Sequence, residues 1–267
     1  TLVLGRRLGL GRACWVAAGL VAVDPLLTAS ATWPMTETLY TLLVVGWLVA
    51  VAGPAEIDTT GGLRRGILVG VLFGIAVLCR PATWVVGGLA IGAALLGRRS
   101  PRRFGLLAAI VAAALTVSPW AIRNAIHDGG PLVTTTHGGY TLLLGNNPVF
   151  YREVVRAPWG TVWNDDSQDS QADWLERLEH EQPATADGIP GERQRDSWMY
   201  RRARANMAAD PGGCLGACWL RLRRLWNLAP LEGDMATPAR LGVGLFYLVV
   251  SIAAIAGLVR RPWKTHD

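Results

Sequence analysis

Long apolar segments fill the first half of the chain and recur near its end. They cover 13–31, 38–53, 65–80, 82–97, 104–120 and 241–259. A helix needs about 20 apolar residues to cross a bilayer, with a range of roughly 17 to 25. The pattern therefore predicts an all-α polytopic membrane protein with about six transmembrane helices. The third and fourth segments are short and are separated only by Arg80 and Pro81, so we interpret them as a tight hairpin; a re-entrant pair is the alternative.

A long polar stretch, 121–239, separates the fifth apolar segment from the sixth. Helices are predicted within it at Gln171–Glu181, 192–209 and 215–228. The last has one apolar face with arginines elsewhere, a pattern typical of a helix that lies in the membrane interface. Its apolar face contains Trp219, Leu222, Leu225 and Trp226. The chain thus divides into a membrane bundle of five spans (1–120), this segment with its amphipathic helices (121–239), and a last transmembrane helix with a tail (240–267).

The composition agrees with a membrane protein and excludes several other classes. Apolar residues make up 51% of the chain and charged residues 17%, against about 25% charged in soluble domains. This argues against a single soluble domain, a nucleic-acid-binding module or a disordered tail. The four cysteines form no metal or disulfide pattern, and the acids Asp165, Asp166, Asp169 and Asp173 do not match a calcium loop. We therefore predict no metal site, no cofactor and no nucleic-acid partner, and leave dependence on a divalent metal open.

The distribution of basic residues predicts the orientation of the helices. Alternate connections carry most of them, namely Arg6, Arg7, Arg12, Arg64, Arg65, Arg98, Arg99, Arg102, Arg103, Arg260, Arg261 and Lys264. Only Glu56, Asp58 and Asp267 oppose them there. Since Lys and Arg accumulate in cytoplasmic loops, both termini are predicted to be cytoplasmic and 121–239 to be extracytoplasmic.

Charged residues at the outer ends of the predicted spans are the first candidates for chemistry. Glu37 begins the second span, Arg80 ends the third, and Arg123-Asn124 follows the fifth. Two guanidiniums beside a carboxylate suit an anionic ligand at the membrane surface, because the arginine fork pairs well with phosphate oxygens. Ion pairing among these side chains without a ligand is the alternative. Asp24 either caps a kink before Pro25 or pairs with Arg80.

The start of the polar stretch supplies further candidates. His137 and Tyr140 flank a Gly-Gly pair, and Asn146 and Asn147 follow Gly145. Glycines allow close backbone approach to a ligand, and asparagine amides suit sugar hydroxyls. The apolar run Tyr140–Leu144 between them is predicted to be a strand or a strip at the membrane edge, within a region of turns and loops.

Five stretches, taken in order, resemble a family of membrane enzymes. They are GRRLGLGRACWVAAGLVAVDPLLTASATWPMTETLY, GILVGVLFGIAVLCRP, SPWAIRN, TTTHGGYTLLLGNNP and ARANMAADPGGCLGACWLRLRRLWN. The chain resembles the lipid-linked-sugar glycosyltransferases of the dolichyl-phosphate-mannose protein mannosyltransferase superfamily, which includes the RgtA/B/C/D-like bacterial enzymes and has the GT-C fold. The likeness covers nearly the whole chain.

The resemblance implies a function at the extracytoplasmic face. Such enzymes transfer a sugar from a polyprenyl-phosphate donor to a glycan, lipid or protein acceptor, with an Asp in the first external loop as general base. Arg80 and Arg123 would bind the donor phosphate. Glu37, Asn124, His137, Tyr140, Asn146 and Asn147 would contact the donor or the acceptor. The expected location is a bacterial inner membrane, and membrane lipid and the lipid-linked sugar are the expected partners.

One departure from the family pattern affects the catalytic residue. The span and loop that carry the family's Asp would precede residue 1, so we expect the chain to be the C-terminal portion of such an enzyme. The sequence assigns no catalytic residue within the chain. The alternative function is a non-enzymatic polytopic protein, such as a transporter or flippase of lipid-linked glycans, although the inverted repeats typical of transporters are not evident.

Overall fold

The computed structural model describes residues 1–32, 36–52, 59–96, 103–127, 135–163, 169–182, 191–231 and 237–260. Within these ranges every regular element is helical and there is no strand, so the all-helical class is confirmed for them. The chain forms two compact units, Thr1–Thr135 and Thr136–Asp267. Several basic residues used to predict orientation, among them Arg98, Arg99, Arg102, Arg261 and Lys264, lie outside the described residues.

The first unit contains seven helices in the described ranges. They are α1 (Leu2–Arg7), α2 (Ala13–Ala22), α3 (Pro25–Ala31), α4 (Thr36–Val51), α5 (Thr59–Cys79), α6 (Thr83–Leu96) and α7 (Arg103–His127). The second unit contains α8 (Gly138–Leu144), α9 (Pro148–Phe150), a π-helical turn (Tyr151–Val155), α10 (Gln171–His180), α11 (Glu192–Ala209), α12 (Pro211–Leu225) and α13 (Thr237–Arg260).

Three described helices are long and apolar enough to cross a membrane. The candidate spans are Gly62–Cys79, Phe104–His127 and Thr237–Gly257. A bent pair, α2 and α3, makes a fourth if both belong to one span. Three or four candidate spans are compatible with a membrane protein, whereas the count of six stays a prediction. The predicted apolar segment 38–53 folds as α4, an apolar helix of 16 residues.

The break between α2 and α3 comes from Asp24 and Pro25. Asp24 is the N-cap of α3, where its Oδ1 accepts hydrogen bonds from the amides of Leu26 at 3.0 Å and Leu27 at 2.9 Å. Proline has no amide hydrogen and is favourable in the first turn of a helix but not in its interior. The two helices therefore meet at an angle of 50°. Of the two roles expected for Asp24, the structure shows the cap.

A stripe of glycines brings α5 and α7 into backbone contact. A Cβ atom added at Gly66 would lie 2.2 Å from the carbonyl oxygen of Gly105, and one at Gly70 would lie 2.2 Å from that of Ala109. Gly74 faces Thr116 in the same way, with a Cβ–Cβ distance of 2.7 Å. Small residues at every fourth position are typical of closely packed membrane helices. Since the partner numbers rise together, α5 and α7 run parallel.

Arginine side chains fix the direction of α4 against α5. The Nε of Arg65 donates to the carbonyl oxygen of Ala50 at 2.8 Å, and Arg7 and Arg65 also bond the last carbonyls of α4. A cation is favourable there because the helix C-terminus carries partial negative charge. At the other end of α4, Glu37 pairs with Arg80, so the two helices are antiparallel.

The second unit has its own apolar core. Its buried members are Leu143, Val154, Trp163, Trp174, Leu178, Met199 and Ala203. Two of its helices begin at polar caps: the hydroxyl oxygen of Ser170 accepts from the Asp173 amide at 3.1 Å, and Asp210 accepts from the Gly213 amide at 2.8 Å. The helices predicted at 171–181 and 192–209 are confirmed, and the one predicted at 215–228 begins earlier, at Pro211. The strand or strip expected at Tyr140–Leu144 is wrong, because that run is helical in α8.

We expect an ionic cluster in this unit to make its stability sensitive to acid. Arg177 and then Arg152 hydrogen-bond the Asp169 carboxylate and lower its pKa. A carboxylate whose pKa is depressed on folding stabilises the fold above its unfolded pKa of about 3.9, and the stabilisation is lost as pH falls through the lower folded pKa. We expect Asp169→Asn to reduce the melting temperature at neutral pH and to make it less dependent on pH in the acid range, measured by tryptophan fluorescence. Glu176→Gln, at an exposed position of α10, is the control, and an equal pH dependence in both variants would contradict this.

Candidate functional site

Four polar residues meet where α4 begins, α5 ends and α6 begins. Arg80 and Glu37 form an ion pair, and their side chains are 40% and 39% exposed. The Cζ of Arg80 lies 5.7 Å from the ring centroid of Tyr40. The buried Thr83 hydroxyl donates to the Arg80 carbonyl oxygen at 2.7 Å and lies 3.2 Å from the Tyr40 hydroxyl. The guanidinium is thus held between a carboxylate and an aromatic ring while two-fifths of the side chain stays open to solvent.

The chain turns sharply at this point for a local reason. Pro81 disfavours helical geometry at the residue before it, so α5 ends at Cys79. The amide of Arg80 still bonds the Ala76 carbonyl oxygen at 2.8 Å. Thr83 then starts α6, and its side chain stays within reach of both helices. The sequence Arg-Pro-Ala-Thr therefore places a cation at the turn between α5 and α6, and whether the two helices form a spanning hairpin or a re-entrant pair stays a prediction.

The second candidate pair lies near the end of α7. Arg123 is exposed, with its Cζ 5.2 Å from the Trp120 ring centroid and its Nη1 3.3 Å from Asn124 Oδ1. Asn124 is 3% exposed. The helix passes through Pro119 without ending.

The register of α5 against α7 sets the level of the two arginines. Gly66 faces Gly105 and Gly70 faces Ala109, a difference of 39 in each case (105 − 66 and 109 − 70). The same difference puts position 80 level with position 119, four residues before Arg123. Four residues of helix rise about 6 Å. Arg80 and Arg123 therefore occupy the same end of this helix pair, the end opposite Arg65.

His137 and Tyr140 belong to the second unit. Their rings lie 4.8 Å apart at the start of α8, with His137 exposed and Tyr140 half-buried. The Gly-Gly pair between them is required by packing against α11. A Cβ at Gly139 would lie 2.2 Å from the Asp196 carbonyl oxygen, and one at Gly138 would lie 2.1 Å from the Tyr200 hydroxyl oxygen. The Gly139 amide also donates to Asp196 Oδ1 at 2.6 Å.

Asn146 and Asn147 are buried, and their amides are bonded within the fold. Asn147 Oδ1 accepts from the Phe150 amide at 2.8 Å as the N-cap of α9, and its Nδ2 donates to the carbonyl oxygens of Leu143 and Leu144. Asn146 Nδ2 donates to the Leu142 carbonyl oxygen at 2.8 Å, and its Oδ1 accepts from the Tyr151 hydroxyl. Their role as sugar contacts stays a prediction.

The surroundings of Asn146 and Asn147 also explain why Gly145 precedes them and why the pKa of Tyr151 is raised. A Cβ at Gly145 would lie 1.9 Å from the Arg221 guanidinium, which bonds the Gly145 carbonyl oxygen. Burial, followed by the neighbouring Cys214 and Asp210, raises the pKa of Tyr151 to about 12. The hydroxyl therefore remains a donor to Asn146 at any physiological pH. Asn206 of α11 donates to the Asn146 carbonyl oxygen at 3.0 Å, so the Gly-Asn-Asn-Pro motif connects α8, α9, α11 and α12.

Two residues near Arg80, Tyr40 and Thr83, were not among the candidates from the sequence. Tyr40 stands three residues after Glu37, which is one turn of the same helix face. That spacing was a usable signal. Thr83 follows the Arg-Pro pair by two residues and gave no comparable signal, because its hydroxyl donates back to the Arg80 carbonyl oxygen at 2.7 Å across the turn.

Neither a search for metal-binding groups nor a comparison with known proteins adds information on the site. No group of three or more His, Cys, Asp or Glu side chains able to hold a metal occurs in the described part of the chain. Of the acids weighed as calcium ligands, Asp169 is paired with arginines, and Asp165 and Asp166 lie outside the described residues. No protein-family model, no curated protein and no solved structure matches the chain.

Proposed function

We propose that the protein is a membrane glycosyltransferase of the GT-C type, which moves a sugar from a polyprenyl-phosphate donor to an acceptor at the extracytoplasmic face. One observation carries the proposal: Arg80 and Arg123 occupy the same end of the closely packed α5–α7 pair. Arg80 directly follows the candidate span Gly62–Cys79, and Arg123 lies in the last turns of the candidate span Phe104–His127. A phosphate on a membrane-embedded carrier is found at such a level.

The charges at this end suit a phosphate. Arg80 and Glu37 neutralise each other, so Arg123 adds a net positive charge. A guanidinium has five N–H donors, and Glu37 leaves Arg80 donors that a phosphate oxygen can bond. During transfer, the bond between the sugar and the phosphate breaks and negative charge grows on the departing lipid phosphate. Donors placed beforehand around that oxygen stabilise the charge in the transition state.

The directions of the helices support the proposed sidedness. α4 is antiparallel to α5, whereas α7 is parallel to α5. Between them in the chain, α6 runs back along α5 and packs Gly87 against Phe73. Arg7 and Arg65 therefore lie at one end of the helices and Arg80 at the other. Arginines gather on the cytoplasmic side of membrane proteins, which supports the proposal that the Arg80 end faces outward. A bacterial inner membrane, with a glycan, lipid or protein as acceptor, is part of the same proposal.

Binding of the carrier phosphate tests the proposal directly. In the full chain reconstituted in lipid nanodiscs, we expect Arg80→Ala and Arg123→Ala each to weaken labelling by a photoreactive polyprenyl phosphate about tenfold or more. A hydrogen bond to a charged group contributes about 1.5–3 kcal/mol, and about 1.4 kcal/mol is a factor of ten.

Arg64→Ala is the matched control, because Arg64 is an exposed arginine at the opposite end of α5. Its variant should be labelled like the parent protein. Full labelling of both the Arg80 and the Arg123 variants would remove the phosphate site from the proposal.

A further inference from the structure

One face of α12 is apolar and uncovered. Its large side chains are between 48% and 77% exposed, and they are Leu215, Trp219, Leu222, Leu225 and Trp226. The opposite face is the one that packs onto the second unit. There Ala217 is fully buried, and a Cβ at Gly213 would lie 2.5 Å from the Tyr151 ring. The helix is therefore fixed in rotation, with these five side chains pointing away from the unit's own core, against which Leu220 packs.

A neighbouring loop extends this surface. The Trp159 ring lies against Arg223, whose Cζ is 3.9 Å from the ring centroid. Together with Trp219, Leu222, Trp226 and Asn227, these two residues line a cleft of about 560 Å³. Tryptophan rings and an arginine at the edge of an apolar face are the side chains that membrane interfaces favour, since each has an apolar body and a polar end.

The charge of α12 is positive and unbalanced. Between Pro211 and Leu225 the helix carries Arg221, Arg223 and Arg224 and no acidic residue. Arg221 and Arg224 bond the carbonyl oxygens of Gly145 and Thr161 within the unit. Arg223 is exposed beside the apolar face, with its guanidinium over the Trp159 ring. A basic amphipathic helix of this kind is attracted to anionic lipid.

The chain after α12 leads at once to a candidate membrane span. Ala229, three residues beyond Trp226, packs on Gly244 of α13, where an added Cβ would lie 3.7 Å from the Ala229 Cβ. Gly244 is seven residues into α13, or about 10 Å from the start of that helix. Ala229 is thus held about a third of the way along the span Thr237–Gly257, taking a hydrocarbon core of about 30 Å. The three residues from Ala229 back to Trp226 can extend about 10 Å, so the end of α12 reaches the boundary between head groups and acyl chains.

We propose that α12 and Trp159 lie in the membrane interface, where the apolar face contacts the acyl-chain boundary and Arg223 binds the phosphate of anionic phospholipids. The occupant of the cleft is the bilayer itself. A protein partner would also cover apolar surface, but it would not account for the contact between the segment directly after α12 and a candidate span. This inference requires only that α13 spans the membrane, and it holds whether or not the protein transfers sugar.

Site-directed spin labelling of the full chain in nanodiscs tests the inference. The native cysteines are replaced, and single cysteines are introduced by Leu215→Cys, Leu222→Cys and, as the control, Glu179→Cys. Glu179 is an exposed position of α10 in the same unit. The nanodiscs contain phosphatidylcholine alone or mixed with phosphatidylglycerol, and label collisions with oxygen and with a neutral nickel chelate are measured.

At positions 215 and 222 we expect a ratio of oxygen to nickel collisions several-fold above that at 179, and a further rise when phosphatidylglycerol is present. Arg223→Gln should abolish that further rise. Nickel collisions as frequent at 215 and 222 as at 179, in both lipid mixtures, would overturn the interfacial position and indicate a water-facing surface. Protection that ignores phosphatidylglycerol would overturn the phosphate contact of Arg223.

Discussion

A leucine in place of Gly70 is expected to separate α5 from α7 and to destabilise the first unit strongly. A Cβ at this position would lie 2.2 Å from the Ala109 carbonyl oxygen and 2.8 Å from the Ala112 Cβ. Backbone atoms cannot move aside as a flexible side chain can, so α7 must shift as a whole. Overpacking of a close interface costs about 1–3 kcal/mol, and we expect the upper end for Gly70→Leu.

The melting temperature in detergent, followed by tryptophan fluorescence, measures this effect. Gly88→Leu is the matched control, because Gly88 belongs to the apolar helix α6 and an added Cβ there meets no atom within 4 Å. Equal melting temperatures for the two variants would show that the glycine stripe is not needed for the contact. If the stripe also sets the level of Arg80 against Arg123, Gly70→Leu should weaken phosphate labelling without altering either arginine.

The helices of this protein were predictable because apolar runs and helical spacing are local signals. The α12 face is an example: Trp219, Leu222, Leu225 and Trp226 recur at helical spacing in the sequence, and the structure leaves all of them exposed. The partner of each helix was not predictable in this way. Apolarity does not specify that α5 packs parallel to α7. The signal for that contact in the α5 sequence is the spacing of the glycines at 66, 70 and 74.

The charged candidates in the first unit were found because ionisable residues in apolar segments are rare and conspicuous. Their contacts were less visible. Asp24 had two possible partners in the sequence, and only the backbone geometry before Pro25 shows that it caps α3. Glu37 and Arg80 are 43 residues apart, so their ion pair depends on the antiparallel packing of α4 and α5.

The motif around Asn146 and Asn147 is a case in which residue types alone do not decide between a binding role and a packing role. Glycine and asparagine favour turns, and a loop that binds sugar is one use for them. The structure adds a packing reason for each residue, and the sugar contact stays a prediction: Gly145 makes room for Arg221, and both amides bond helix ends. A short apolar run such as Tyr140–Leu144 has too few residues for its spacing to distinguish a strand from a helix.

Replacement of Asn147 by alanine is expected to be highly damaging to the second unit. The side chain is 1% exposed and makes one cap bond and two bonds to carbonyl oxygens. Loss of an N-cap costs about 1 kcal/mol, and each buried polar group left without a partner costs about 1–3 kcal/mol. We expect Asn147→Ala to lower the melting temperature strongly and to speed amide hydrogen exchange in α8 and α9.

Asn227→Ala provides the same substitution at an exposed asparagine, whose Nδ2 makes one bond of 2.8 Å to the Ala229 carbonyl oxygen. Its effect should be small, because the side chain is exposed and loses a single hydrogen bond that caps no helix. Asn147→Asp keeps an acceptor for the Phe150 amide but cannot donate to Leu143 or Leu144, so it should recover only the part of the stability due to the cap. A melting temperature of Asn147→Ala equal to that of Asn227→Ala, combined with loss of sugar-donor binding, would instead assign Asn147 to ligand contact.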